Sequence, residues 1–431
     1  MKIHILGICG TFMGGLARIL IQEGHTITGS DKAFYPPMSD QLQELKIEVF
    51  EGYEGDLPAA DLYVIGNALS RGNPWVEEIL RNHYPYTSGP EILGSILKKR
   101  RVIAVAGTHG KTSTSYMIKH ILSFNNMPVD YLIGGISSSS GHSADNQNAE
   151  IFVIEADEYD SAFFDKRSKF VHYHPDIFVI NNIEFDHADI FDSIDDIKKQ
   201  FHHAVRIVPS NGFIVYQKED LNIKDLLELG SWSNTVAVND PSSINLSNDE
   251  AIITIQEEEF ATSEFPFVGR HNFLNAMMAM QAAKLVGVSY QQSFEALKQF
   301  GGVKRRLEIV HKSPTHIIYD DFAHHPTAIR ATTQALLKKH HNKKIGAIIE
   351  LASNTMSSGY HDQNLLDAPA GLHEIFWIDP NNVLKTEKAF PTIEIATKEL
   401  KKIIMELDIV VIMTNKNSKL IKDSLLEAFD A

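Results

Sequence analysis

Short apolar runs that end in glycine or an acidic residue alternate along the chain with longer stretches of helical periodicity. That alternation is the signature of α/β domains built on mostly parallel sheets. It predicts strands at 2–6 and 26–30, with a turn and helix start from Gly7 to Gly15 between them. After the polar break Lys98-Lys99-Arg100-Arg101, a strand is predicted at 102–106, then others near 151–155, 177–181 and 213–216, and a helix at about 272–286. Beyond the turn at Gly301-Gly302, strands are predicted near 316–320, 345–350, 374–378 and 409–413. These breaks divide the chain into three expected domains, 1–98, 99–301 and 302–431. There is no internal repeat, and Ser137 to Ser140 with Gly141 reads as a mobile polar loop.

Composition narrows the function classes. A length of 431 residues, 43% hydrophobic and 22% charged, suits an ordinary globular protein. A net charge of -15 argues against nucleic acid as a partner, because a polyanion needs a basic surface. The one cysteine, Cys9, leaves no internal disulfide framework and points to a reducing compartment. The N-terminal apolar run is too short for a signal peptide, and no later stretch approaches a membrane span. The expectation is a cytoplasmic enzyme without a membrane partner.

The strongest chemical signal is Gly107-Thr108-His109-Gly110-Lys111-Thr112, directly after the apolar strand Val102–Ala106. Glycines let backbone N–H groups approach phosphate oxygens, and the following helix turns its positive end toward them. Lys111 would reach the outer phosphates, and the Thr112 hydroxyl would hold Mg²⁺. Val105 stands where the strict phosphate-loop pattern has its first glycine. The strand–loop–helix context still favours a nucleoside triphosphate site over an incidental turn.

A magnesium ion needs hard oxygen ligands. The strand Ile151–Ile154 ends in Glu155-Ala156-Asp157-Glu158, where ligands gather in parallel sheets. The alternative is a solvated acidic loop. Another strand, Ile177–Ile180, leads to Asn181-Asn182-Ile183-Glu184-Phe185-Asp186-His187, so His187 is either a second metal ligand or a structural histidine. The pairs His202-His203 and His340-His341 fall in charged helical stretches and are expected at the surface, while His172 and His174 form no ligand set.

The first domain carries Gly7-Ile8-Cys9-Gly10-Thr11-Phe12-Met13-Gly14, which departs from the dinucleotide fingerprint but follows a strand and opens a helix. That context suits a diphosphate, with Asp31 at the end of the next strand placed to accept a hydrogen bond from a ribose or base. Glycine-mediated packing is the plainer alternative. Two phosphate-binding openings in one chain suggest two nucleotide-bearing ligands, and a hydride-transfer enzyme would not need the second.

With these motifs in place, the chain resembles the Mur ligase family across nearly its whole length. Gly107 to Thr112, Glu155 to Glu158, Asn182-Ile183-Glu184 with Asp186-His187, His271-Asn272 with Asn275-Ala276, and Asp320-Asp321 with His324-His325-Pro326 occur in the family's order. The resemblance implies a Rossmann-like UDP-binding domain, a central P-loop ATPase-type α/β domain and a Rossmann-like C-terminal domain. Gly66-Asn67-Ala68-Leu69-Ser70-Arg71-Gly72-Asn73-Pro74, Tyr35-Pro36-Pro37-Met38-Ser39, Glu184 to Phe191 and Ser353-Asn354-Thr355-Met356 resemble the peptidoglycan-recycling branch. Members of that branch join the tripeptide L-alanyl-γ-D-glutamyl-meso-diaminopimelate to UDP-N-acetylmuramate.

The resemblance further implies the following roles. ATP would be bound by Gly107 to Thr112 with Asn272, Asn275, Arg306 and Asp321, the last two completing the site on domain closure. Mg²⁺ would be held by Thr112 and Glu155, and a second metal by His187; Lys111, Glu155 and His187 would carry the chemistry. The UDP-sugar would meet Gly7, Gly10, Thr11, Gly14, Asp31 and Asn67, and the peptide Ser353, Asn354 and Thr355. Met277, Met278 and Met280 are expected in the core. Two segments depart from the branch: Glu350-Leu351-Ala352 stands where it usually has Glu-Pro-Arg, and Met413-Thr414-Asn415-Lys416-Asn417-Ser418 replaces a glycine-rich stretch, which predicts an altered loop on an intact fold. The competing readings are the L-alanine-adding ligase of the same family and a non-catalytic UDP-sugar binder.

Overall fold

The computed structural model describes residues 1–430 apart from 36–37, 138–140, 187, 189, 256, 353–355 and 357–361. His187, Ser353, Asn354 and Thr355 therefore lie outside the described residues, as does most of the Ser137–Ser140 loop. Two compact units emerge: one of residues 1–184, 193–264 and 275–301, the other of 185–192, 265–274 and 302–431.

The first unit holds two open sheets. One runs Glu48–Glu51, Thr26–Asp31, Lys2–Leu6, Leu62–Ile65, Tyr86–Ser88, all parallel. Its central strand buries Ile3, Ile5 and Leu6, and His4 beside them is equally buried. The His4 ring lies between Thr28 Oγ1 at 2.8 Å and Ser30 Oγ at 3.2 Å, and burial lowers its pKa to about 4. A neutral imidazole with both nitrogens bonded is the form a buried site tolerates.

The other sheet has the order Asn234–Val238, Phe213–Gln217, Ile177–Ile180, Arg101–Ala106, Ile151–Glu155, Val129–Leu132, Ala144–Asp145. Only its last pair is antiparallel. The strands 102–106 and 177–180 are buried along their whole length, as a sheet covered on both faces requires. A small antiparallel sheet of Ile244–Leu246, Ile252–Ile255 and Glu258–Ala261 follows.

The two sheets of this unit are joined by buried contacts. Helix Thr11–Gln22 packs so closely on the edge strand that a Cβ at Gly15 would lie 3.2 Å from Ala144 Cβ. Arg100, from the polar break that the sequence places between domains, is not solvated. Its guanidinium meets Asp130 Oδ2 at 2.6 Å, Ala149 O at 2.7 Å and Asn146 Oδ1 at 2.8 Å, with Glu23 at 3.6 Å. Removing one partner from such a network would strand a buried charge.

The second unit is a sheet ordered Glu308–Lys312, Ile317–Asp321, Ile409–Met413, Ile345–Glu350, Glu374–Ile378, Ala389–Phe390, parallel except for its first pair. Ile345, Ala347, Ile349, Val411 and Met413 face one apolar cluster, while Ile348, Val410 and Ile412 face the other. That division follows the period-two alternation of a strand covered on both sides. The strand before the altered segment 413–418 is intact. The segment itself is tied down: Thr414 Oγ1 donates to Glu350, Ser418 Oγ donates to Asp320 Oδ2 at 2.6 Å, and Arg305 Nη2 donates to Thr414 O at 2.6 Å.

Candidate active site

The phosphate loop takes its position from strand register. Val105 pairs with Glu155 on one side and Ala106 with Ile180 on the other, so the loop at 107–110 leaves the sheet between Glu155 and Asn181-Asn182. Gly110 is the N-cap of helix Lys111–Phe124 with φ +79°, a left-handed conformation that costs any other L-residue about 1–2 kcal/mol. Asn182 clamps the loop from below: its Oδ1 accepts from His109 N at 2.8 Å, and its Nδ2 donates to His109 O at 3.1 Å. Thr108 N donates to Asn182 O at 3.1 Å, and Thr108 Oγ1 accepts from Glu184 N at 2.8 Å. His109 Nε2 is 3.6 Å from Glu184 Oε2. Asn275 is buried beside Gly110, 3.4 Å from Asn181 Nδ2 through its Oδ1.

Lys111 and Thr112 open the helix with their side chains committed to opposite tasks. Lys111 Nζ donates to Gly107 O at 2.8 Å and lies 3.7 Å from Asp157 and 3.5 Å from Glu158. Thr112 Oγ1 donates to Glu155 Oε1 at 2.9 Å, while Gly134 N donates to Glu155 Oε2 at 2.8 Å. Burial, and next the neighbouring Asp157, push the Glu155 carboxyl above the usual carboxylate range against the opposing pull of Lys111. A hydroxyl and a carboxylate converging at the mouth of a phosphate loop are hard oxygen donors, and that donor set fits a divalent cation such as Mg²⁺.

A cavity of about 420 Å³ runs from the first domain's glycine turn to this acidic edge. Gly10 caps helix Thr11–Gln22, and Gly7 N donates to Ser30 O at 2.8 Å. Gly7, Gly10, Thr11, Asp31 and Asn67 line one end. Gly14 is not among the lining residues; a Cβ there would lie 2.8 Å from Met38 Cε, so it serves close packing. Asp31 differs from expectation in part. Its Oδ2 accepts from Cys9 N at 2.8 Å and its Oδ1 from Lys32 N at 2.8 Å, so the carboxylate buttresses the glycine turn as well as facing the cavity. Glu155, Asp157 and Lys169 line the other end.

Lys169 is a residue that the sequence reading missed. It sits in the charged run Asp165-Lys166-Arg167-Ser168-Lys169, which reads as solvated loop, and only tertiary packing buries it. The histidine expectations also need correction. His202 is half-buried with Nε2 3.1 Å from Gly230 O, and His340 is half-buried with Nε2 3.0 Å from the Tyr319 hydroxyl. Both partners come from other elements of the fold, which the local charge pattern does not show. Met277, Met278 and Met280 are fully buried, as predicted.

In the second unit, Asp321 is buried and largely used by its own backbone. Its Oδ2 accepts from Leu307 N at 2.7 Å, and its Oδ1 accepts from Ala323 N at 2.8 Å and Thr332 Oγ1 at 3.2 Å. Burial raises its carboxyl pKa, with Arg306 opposing. The Arg306 guanidinium lies over Phe322, 4.9 Å from the ring centroid. Asn272 is in the first turn of helix Arg270–Leu285, where its Nδ2 donates to Val268 O at 2.9 Å.

Three family profiles match the chain in order: the Mur ligase family catalytic domain over residues 2–101, the Mur ligase middle domain over 105–283, and the Mur ligase glutamate ligase domain over 305–369. Over 392 residues the chain is 45% identical to an Escherichia coli protein, UDP-N-acetylmuramate–L-alanyl-γ-D-glutamyl-meso-2,6-diaminoheptandioate ligase, covering 89% of this chain and 86% of that one. The chain belongs to the Mur ligase family. Among these ligases, an L-alanine-adding enzyme of Clostridium acetobutylicum is 32% identical over 354 residues, covering 79% of this chain and 75% of its own. A murein peptide ligase from Psychrobacter arcticus has a crystal structure that matches with TM-score 0.75 and 36% identity, covering 99% of this chain and 98% of that one. The α/β architecture of this chain, built on mostly parallel sheets, is that of the Mur ligases.

Proposed function

We propose that this Mur ligase is an ATP-dependent amide ligase that joins L-alanyl-γ-D-glutamyl-meso-diaminopimelate to UDP-N-acetylmuramate in peptidoglycan recycling. The observation that carries the reading is a cavity that runs from a UDP-type glycine turn to Glu155, whose carboxylate accepts a hydrogen bond from Thr112 at the end of the phosphate loop. The 45% identity to a ligase of that name favours the tripeptide over free L-alanine, since the L-alanine-adding relative is 32% identical.

A carboxylate is a poor acyl donor, so amide formation in water begins with activation. An oxygen of the lactoyl carboxylate forms a bond to the γ-phosphorus of ATP, and the bond to the bridging oxygen breaks with its electron pair leaving on ADP. The α-amine of the peptide's L-alanine then attacks the acyl phosphate, loses its proton, and expels inorganic phosphate. Phosphoryl transfer is governed by positioning and charge neutralisation. In this reading Gly107, Thr108, His109 and Gly110 cradle the triphosphate, Lys111 moves from Gly107 O to the transferring phosphoryl group, and Asn272, Asn275, Arg306 and Asp321 complete the ATP site. Thr112 and Glu155 would hold Mg²⁺, which when bound neutralises phosphate charge; His187 is assigned to a second metal. Gly7, Gly10, Thr11, Asp31 and Asn67 are assigned to the UDP-sugar, with Gly14 supporting their turn through close packing on Met38, and Ser353, Asn354 and Thr355 are assigned to the peptide. The corresponding domains are 1–98, 99–301 and 302–431, and the working compartment is the cytoplasm, where these nucleotides are found together.

An ADP-release assay tests the reading. Multiple-turnover ADP release should require UDP-N-acetylmuramate, tripeptide and a divalent cation together, and Lys111→Ala should lower kcat by about a hundredfold or more in a folded protein. Near-normal kcat in that variant would remove Lys111 from the transferring phosphate. UDP-sugar binding without any ADP release would favour the non-catalytic binder.

A further inference from the structure

The cavity's acidic end contains a cation that none of the assigned roles uses. Lys169 is 7% exposed, and among the described residues its ammonium group has one hydrogen-bond acceptor, Asp157 Oδ2 at a long 3.4 Å. Two aromatic faces enclose it: Phe12 at 5.3 Å and Tyr159 at 5.4 Å from their ring centroids. An ammonium has three protons to donate, so this buried charge retains donor capacity that the described residues do not use.

The placement is built rather than incidental. Lys169 N donates to Tyr159 O at 3.0 Å, Ser168 Oγ donates to Glu158 O at 2.7 Å, and the next residue, Phe170, is fully buried against Phe178 and Phe201. The short turn Lys169–His172 is thereby pinned, and the lysine stem is directed into the cavity wall. Phe12 follows Gly10 and Thr11 of the turn assigned to the diphosphate, whereas Asp157 lies two residues past Glu155 and also contacts Lys111 at 3.7 Å. The ammonium group therefore stands between the diphosphate end and the phosphoryl-transfer end of one cavity.

We propose that Lys169 binds the lactoyl carboxylate of UDP-N-acetylmuramate, holding it for attack on the γ-phosphate, while Asp157 positions the ammonium group. This rests on the ligase reading above and adds a residue to it. Activation must bring a carboxylate against a polyphosphate, two anions that repel. Lys111 and a divalent cation offset the phosphate charge, but neither is assigned to the carboxylate. Lys169 supplies that counter-charge, and its loose contact with Asp157 gives way to a charge-assisted hydrogen bond with the substrate. Asp157, shared between Lys111 and Lys169, keeps the two ammonium groups near one another before either anion arrives.

Titration calorimetry of the full chain without ATP separates this role from a structural one. The probes are UDP-N-acetylmuramate and UDP-N-acetylglucosamine, which differ by the lactoyl group. Lys169→Met should weaken binding of the first by about tenfold to a hundredfold, the worth of a charged hydrogen bond, and leave the second unchanged. Lys169→Arg should keep most of the preference. If the methionine variant melts early, Lys169→Gln repeats the comparison with a polar, uncharged side chain. Equal weakening of both ligands, or no weakening of either, overturns the assignment while leaving the ligase reading in place. Failure of the unmodified enzyme to bind UDP-N-acetylmuramate overturns both together.

Discussion

His4 stands in the middle of a parallel strand, between two hydroxyls and shut off from bulk solvent. Its pKa of about 4 in the folded chain compares with 6.5 when unfolded, so the unfolded state binds the proton first as pH falls. Stability from this residue is complete above pH 6.5 and is lost progressively as pH drops to 4. The loss amounts to about 3 kcal/mol, taking 1.36 kcal/mol per pH decade. Urea unfolding at pH 7, 5.5 and 4.5 should therefore show a decline that is shallower in His4→Gln, although that variant starts less stable at pH 7. A parallel pH slope in the two proteins would assign the acid sensitivity to other groups. At this scale the sequence was legible where a residue type has one chemical use. Glu155 and Thr112 were paired as prospective oxygen ligands from motif order, and the structure joins them by a 2.9 Å hydrogen bond. Lys169 and His4 were not legible, because burial of a lysine or histidine depends on what packs over it rather than on its neighbours in the chain.

Elements were more legible than residues. The predicted strands at 102–106, 151–155, 177–181, 345–350 and 409–413 lie within one residue of those observed, because strands buried on both faces read as unbroken apolar runs. The edge strands Glu48–Glu51, Asn234–Val238 and Glu308–Lys312 escaped, since half-exposed strands carry polar residues that dilute the signal. The small sheet at 244–261 escaped for the same reason. The turn that joins strand to helix at Gly110 offers an element-scale test. Gly110 and Gly24 both have positive φ, +79° and +85°, but a Cβ at Gly110 would lie 2.4 Å from Asn275 Oδ1, whereas one at Gly24 meets nothing within 4 Å. Gly24→Ala should cost only the backbone term, about 1–2 kcal/mol, and leave ATP kinetics unchanged. Gly110→Ala should add the clash, displace the loop, and raise KM for ATP by tenfold or more. Similar ATP kinetics in the two variants would mean that the loop tolerates displacement and that its backbone is not the phosphate cradle.

Across the whole molecule, the two large sheets of the first unit share a cavity; the proposed function assigns nucleotide, UDP-sugar and activation to that unit, and the choice of amine to the second. There the strand ends carry Glu350, Asp320 and Thr414 on one edge, and the cations Arg305 and Lys422 are drawn to Asp320, at 3.6 Å and 3.1 Å. Ala352, half-buried just past Glu350, offers no charge where the recycling branch usually has arginine. A tripeptide has carboxylates and an amine that L-alanine lacks, and a site built for them discriminates strongly, because its polar groups go unpaired with the smaller substrate. We expect kcat/KM for the tripeptide to exceed that for L-alanine by about a hundredfold or more. Ala352→Arg should then raise tripeptide kcat/KM or leave it unchanged, and hardly alter the value for L-alanine, since the added guanidinium would meet only the longer substrate. Steady-state ADP release with each amine, at saturating UDP-N-acetylmuramate and ATP, measures both ratios. A preference of the unmodified enzyme for L-alanine would reassign it within the family, and the activation chemistry at Lys111, Thr112 and Glu155 would stand. A drop in tripeptide use on restoring the arginine would instead mean that Ala352 lies against the bound peptide, with the space left by its small side chain occupied by substrate.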